Sequence, residues 1–137
     1  MPRPTRSFAA IAAIAAIEGL GLIIYAIFDM IEAVRVGITG PADVSNPAAL
    51  FLLIVIYLVL GAGLLLVARA WWLMRTWQRG AFILAQVIAV LVFFDLTQSS
   101  ESLPRTVGLI VFLMAIAGIV LVFTPKVLRV FAEAQRR

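Results

Sequence analysis

Neither cysteine nor histidine occurs among the 137 residues. Their absence removes disulfides, thiolate chemistry, Cys/His zinc sites, the Ser-His-Asp arrangement and the usual haem ligand. Charge is scarce too. Asp, Glu, Lys and Arg make up 13% of the chain, against about a quarter in an ordinary soluble domain. There is no phosphate-cradling glycine loop, no HExxH, no nucleophile elbow, and no pair of carboxylates at one depth. The expectation is a protein that is not an enzyme and that holds no cofactor and no metal.

What fills the chain instead is apolar. Hydrophobic residues account for 64% of it and the mean hydropathy is +1.14. A soluble domain of this size cannot hide so much apolar surface, so the excess implies lipid as a second solvent. The formal net charge is +4. The basic residues flank apolar runs, which points to anionic lipid headgroups as partner rather than nucleic acid.

The N-terminus has the outline of a signal peptide, with Arg3 and Arg6 followed by "FAAIAAIAAI". The apolar stretch continues past Glu18 to Phe28, too long for the core of such a peptide. It is read as a retained first membrane helix. Four apolar runs approach the length of about 20 residues that a bilayer core needs: roughly 7–33, 48–70, 80–97 and 104–124. "VGITGPADVSNP" (36–47) reads as a loop, with Pro47 near the first turn of span two. Ser102 is the expected cap of span four, with Pro104 close behind. Thr124 and Pro125 should end that span and begin a short surface helix over 125–137.

Charge sets the expected orientation. Of all the basic residues, only Arg35 and Arg105 fall outside the side that holds both termini and the connection between spans two and three. Lys and Arg concentrate on the cytoplasmic face, so both termini should be cytoplasmic. The connection "ARAWWLMRTWQRG" (68–80) interleaves Trp71, Trp72 and Trp77 with Arg69, Arg75 and Arg79. These six are the expected interfacial anchors. In "KVLRVFAEAQRR", Val127, Leu128, Val130, Phe131 and Ala134 oppose the charges, the pattern of an amphipathic helix on the inner leaflet. Asp95 and Glu101 flank the last outer loop. They have the oxygen chemistry for a hard cation, although a solvated loop is the simpler reading.

Glu18 is the anomaly. On a helix turning about 100° per residue, Gly21, Tyr25, Asp29 and Glu32 lie within about 60° of it. They form a polar stripe. The opposite face carries Ala9, Ala12, Ala13 and Ala16, small enough for close helix approach. Counted from Ser7, Glu18 lies roughly 16 Å deep, near mid-bilayer. Tyr57 of span two is at a similar level and is the expected partner of a neutral Glu18 carboxyl, or else a backbone carbonyl is. Gln86 lies nearer the cytoplasmic side and is the less natural choice. Gly61 and Gly63 mark span two for close packing. Intramembrane carboxyls mark functional sites by default. Here helix packing, a contact with a partner or second copy, and proton-coupled transport all stay open.

Two resemblances follow from these residues. Four short spans with a Glu in the first resemble the small multidrug resistance transporters. That likeness implies an antiparallel dimer exchanging protons for cationic substrates at Glu18. The chain departs from those transporters in its Lys/Arg bias, its longer first outer loop and its third-span pattern. From Glu18 through Gly61 and Gly63, Ala68-Arg69, Trp77 with Arg79-Gly80, Gln86 and Thr124-Pro125, the chain resembles a group of small four-span integral membrane proteins of actinobacteria. That likeness implies a fold and a bacterial envelope, and no activity.

The resulting expectation is an all-α, single-domain transmembrane four-helix bundle over 1–137, with both ends inside and a short C-terminal amphipathic helix. It would be a multi-pass protein of a bacterial plasma membrane. Its role would be that of an accessory or scaffold subunit of a larger envelope or respiratory complex, or of a homo-oligomer. The alternative is a proton-coupled small-molecule transporter using Glu18.

Overall fold

The computed structural model describes residues 5–38 and 46–136, with all side chains there except those of Asp95 and Leu96. Arg3, Arg137, the Asp95 carboxylate and the middle of the expected 36–47 loop lie outside the described residues. The described chain is all α-helical: α1 (Arg6–Arg35), α2 (Pro47–Trp72), α3 (Gln78–Thr97), α4 (Ser102–Val122) and α5 (Pro125–Gln135). Three of these, α1, α2 and α4, are long and apolar enough to cross a membrane. The apolar part of α3, Gln78–Phe94, is shorter.

Local chemistry sets the helix ends. Asn46 caps α2 by accepting the Ala48 N–H at 2.9 Å, and Pro47 occupies the first turn, where a missing N–H costs nothing. Beyond α1, Gly37 turns the chain with φ +80, a conformation that suits glycine. The cap of α4 is Glu101 and Ser102 is already helical, so the helix starts one residue earlier than a Ser102 cap predicts. At the start of α5, Pro125 is in the first turn, while the Thr124 hydroxyl donates back to the Leu121 carbonyl at 2.7 Å.

The end of α2 is unusual. The Arg75 N–H bonds the Ala70 carbonyl at 2.9 Å and the Met74 N–H bonds the Trp71 carbonyl at 3.1 Å. This is the Schellman pattern, which wants glycine at the left-handed position. Met74 stands there instead, with φ +52, at a strain of roughly 1–2 kcal/mol.

The helices pair as two antiparallel hairpins, α1 with α2 and α3 with α4. In the first, the Phe8 and Trp71 rings meet at 5.3 Å near one end, and Tyr25 and Tyr57 at 5.5 Å toward the other. In the second, Phe94 and Phe112 meet at 6.0 Å. Apart from Ile11, the buried residues of α1 fall at Phe8, Ala12, Ala15, Gly19 and Ala26, the spacing of a left-handed helix-pair seam. On α2, Ile54, Gly61 and Ala68 answer at seven-residue steps.

The core sits at one end, where the start of α1, the α2–α3 turn and α5 come together. Phe8, Ile11, Ala15, Trp71, Phe82, Val122, Val127 and Phe131 pack there as one cluster. Trp71, fully buried, is its hub. It meets Phe8, Phe82 and Phe131 edge-on, at 5.3, 5.8 and 5.7 Å. Edge-to-face pairs add about 0.5–1.5 kcal/mol each beyond area burial. The expected role of Trp71 as an interfacial anchor is therefore corrected: it is core. The half-buried Arg79 has its guanidinium 5.6 Å over each of the Phe123 and Phe131 rings. The burial of Trp71 has a clear cause. Helix α5 folds back across this end, burying Val127 and Phe131 on α1 and α4. Part of the apolar face expected to lie in the leaflet is thus spent on the protein itself.

Candidate functional site

The anomalous carboxyl of α1 meets α3. Gln86 Nε2 donates to Glu18 Oε2 at 2.6 Å. Gln86 is fully buried and Glu18 is half-buried. The pair is the one side-chain-to-side-chain hydrogen bond among the described residues that joins the two hairpins. A charge-assisted or strong neutral bond of this kind, away from water, holds two helices at a chosen rotation.

Tyr57, the partner expected from depth alone, is occupied elsewhere. Its ring pairs with Tyr25 at 75°. Gln86, the less natural choice by depth, is the residue that reaches the carboxyl, because depth along the helix axis leaves rotation and tilt unspecified. The expected polar stripe also divides. Glu18 faces α3, Tyr25 faces α2, and Gly21 faces open space.

Glycines supply the room for this arrangement. A Cβ on Gly19 would stand 2.8 Å from the Gly61 carbonyl oxygen, and one on Gly61 would stand 2.7 Å from Ile23 Cγ1. The backbones of α1 and α2 touch here, next to Glu18. On the other side, a Cβ on Gly118 of α4 would lie 3.0 Å from Phe82 Cζ and 3.4 Å from Gln86 Cδ. Gly118 thus makes the space into which α3 sets Phe82 and Gln86. Sequence reasoning named Gly61 and missed Gly19 and Gly118. The four-residue step from Ala15 to Gly19 was the available signal, since small residues at that spacing form one helix face. Gly63, singled out with Gly61, meets nothing within 4 Å.

The expected alanine face is shifted. Ala12 is buried, Ala9 and Ala16 partly so, and Ala13 is exposed, while Ala15, not singled out, is completely buried. A rotation of about one residue separates the two descriptions. Among the expected anchors, Arg69, Trp72, Arg75 and Trp77 are exposed at the α2–α3 turn.

Chemically, the crossing is a carboxyl and a carboxamide that satisfy one bond and leave two oxygens over. Glu18 Oε1 and Gln86 Oε1 are both buried with no hydrogen-bond partner. Nothing in the group is a nucleophile paired with a base. Among the described residues, no three Asp or Glu side chains gather to hold a metal ion. The arrangement can join helices, and it can carry a proton on Glu18. No family model, no curated protein and no solved structure matches the chain.

Proposed function

We propose that the chain is a non-catalytic, multi-pass protein of a bacterial plasma membrane, acting as an accessory or scaffold subunit of a larger envelope or respiratory complex or assembling with itself. In this reading α1 to α4 cross as four spans and both termini are cytoplasmic. The supporting observation is the uneven packing. The helices close on one another at the basic end, while the other halves of α1 to α4 turn large apolar side chains outward. Val34, Phe51, Val59, Leu91 and Leu103 are all well exposed. Such outward apolar side chains suit lipid, and they leave a face on which a membrane-embedded partner or a second copy can pack. The side holding nearly all Lys and Arg supports the orientation, and the likeness to small four-span actinobacterial proteins supports the source.

The test is size. The tagged chain is extracted from its native membrane in mild detergent and run by native electrophoresis, with mass spectrometry of the band. Co-migration with stoichiometric larger subunits, or a defined homo-oligomer, is the expected result. A clean monomer overturns this reading.

A second reading has its own observation. The unpartnered, buried Oε1 of Glu18 suits a carboxyl that takes up and releases a proton. Under proton-coupled transport, Glu18→Gln keeps assembly and abolishes proton flux in proteoliposomes. Under packing alone, Glu18→Gln is nearly neutral and Glu18→Leu is harmful.

A further inference from the structure

The α2–α3 turn carries a feature that packing does not explain. An open concavity of about 280 Å³ is lined by Leu66, Arg69, Ala70, Leu73, Arg75 and Trp77. Two guanidinium-bearing side chains border one small space, and the chain has no acidic residue between Asp43 and Asp95. The left-handed Met74 brings this about: it folds the chain back so that the Arg75 N–H bonds the Ala70 carbonyl, one residue from Arg69. Leu66, Ala70 and Leu73 follow one another along one stripe of α2, over about 10 Å. Ala70 is almost fully buried and forms the floor. Trp77 is 60% exposed at the rim.

We propose that this concavity is a binding site for an anionic glycerophospholipid. Its phosphodiester is shared by Arg69 and Arg75, its glycerol region lies against Trp77, and one acyl chain runs along Leu66, Ala70 and Leu73. Arginine forks suit phosphate oxygens, and tryptophan favours the headgroup level. The apolar stripe selects a lipid over a free phosphate, which has no use for it. Arg79 takes no part, because it is held over Phe123 and Phe131. The site rests on the membrane reading above but not on the identity of any partner subunit.

The full chain is reconstituted in phosphatidylcholine vesicles containing phosphatidylglycerol, floated, extracted in mild detergent and weighed by native mass spectrometry. The expected result is phosphatidylglycerol retained in preference to phosphatidylcholine. Retention falls about tenfold or more in R69Q/R75Q and is unchanged in R129Q/R136Q, which removes two exposed arginines in and just after α5. If R69Q/R75Q does not fold, R75Q alone, outside the helix, carries the same expectation in weaker form. Retention unchanged in the turn variants overturns the site. Equal loss in both double variants does so too, because it means diffuse attraction to a basic surface. Displacement of the lipid by millimolar inorganic phosphate also overturns it. A chain that fails to float with the vesicles removes the membrane reading itself, whereas one that floats without selective lipid removes only the site.

Discussion

The two halves of the helices are built on different terms. At the basic end, five helices share one cluster. Trp71 alone touches aromatic rings from α1, α3 and α5. Above the level of Glu18 and Gln86, the aromatic pairs lie within each hairpin: Tyr25 with Tyr57, and Phe94 with Phe112. Beyond the glycine contact of Gly19 with Gly61 and the buried Ala115, the residues buried toward that end among those described are Ala26, Ile54 and Gly108. Large apolar side chains are plentiful in both halves, exposed ones included, so hydrophobicity alone does not bring helices together. What differs is shape. The basic end has a large aromatic hub and a crossing helix to cover it. The far end has branched and aromatic side chains with no hole to enter. Lipid tails are as apolar as leucine, and helices associate in them through close fit and polar bonds.

Substitutions can break this contrast in order of size. Trp71→Ala should be the most damaging, at about 3–5 kcal/mol, because it empties the hub. The midpoint of unfolding in mixed micelles reads this. Phe51→Ala, at an exposed site in the far half, should shift the same midpoint hardly at all. Next comes Gly61→Ala. The added methyl meets the Gly19 carbonyl and Ile23, and forcing it in should cost about 1–3 kcal/mol. Gly63→Ala, in open space, is the matched control and should be neutral.

Glu18→Leu should cost somewhat less, about 1–2 kcal/mol, since it leaves the buried Gln86 amide without its acceptor. A cycle with Gln86→Leu should recover part of that loss, and additive losses would mean that the 2.6 Å bond contributes nothing. Met74→Gly has the smallest expected effect and the opposite sign. Relief of the left-handed strain should stabilise by several tenths of a kcal/mol, net of the freedom glycine gains in the unfolded chain.

The elements themselves were legible in the sequence. Apolar runs between loops gave all four long helices to within a few residues, and Pro47 and Pro125 fell in first turns because proline lacks the N–H that a first turn does not need. The site was legible only in its parts. Glu18, Gly61 and Gln86 stood out as residue types, but their partnership depended on helix rotation and tilt. A run of hydrophobic residues gives depth along the helix axis and says little about azimuth. Hence Gln86 was ranked below Tyr57, Gly21 was named where Gly19 makes the contact, and the alanine face was set about one residue away. Trp71 looked like its neighbours Trp72 and Trp77 because interfacial and core tryptophans share a composition. The difference lies in α5, whose return across the end of the helices depends on a tertiary contact that no local pattern encodes.

The central claim is that the hairpins meet at Glu18 and Gln86 and part beyond them. The absence of native cysteine makes it directly testable. Cysteine pairs are introduced at Glu18 with Gln86, and at Phe28 with Phe94, and each is treated in membranes with a short thiol cross-linker. Efficient cross-linking of the first pair and none of the second is the predicted result. Cross-linking of the Phe28 and Phe94 pair at a comparable rate, or failure of the Glu18 and Gln86 pair, would contradict it.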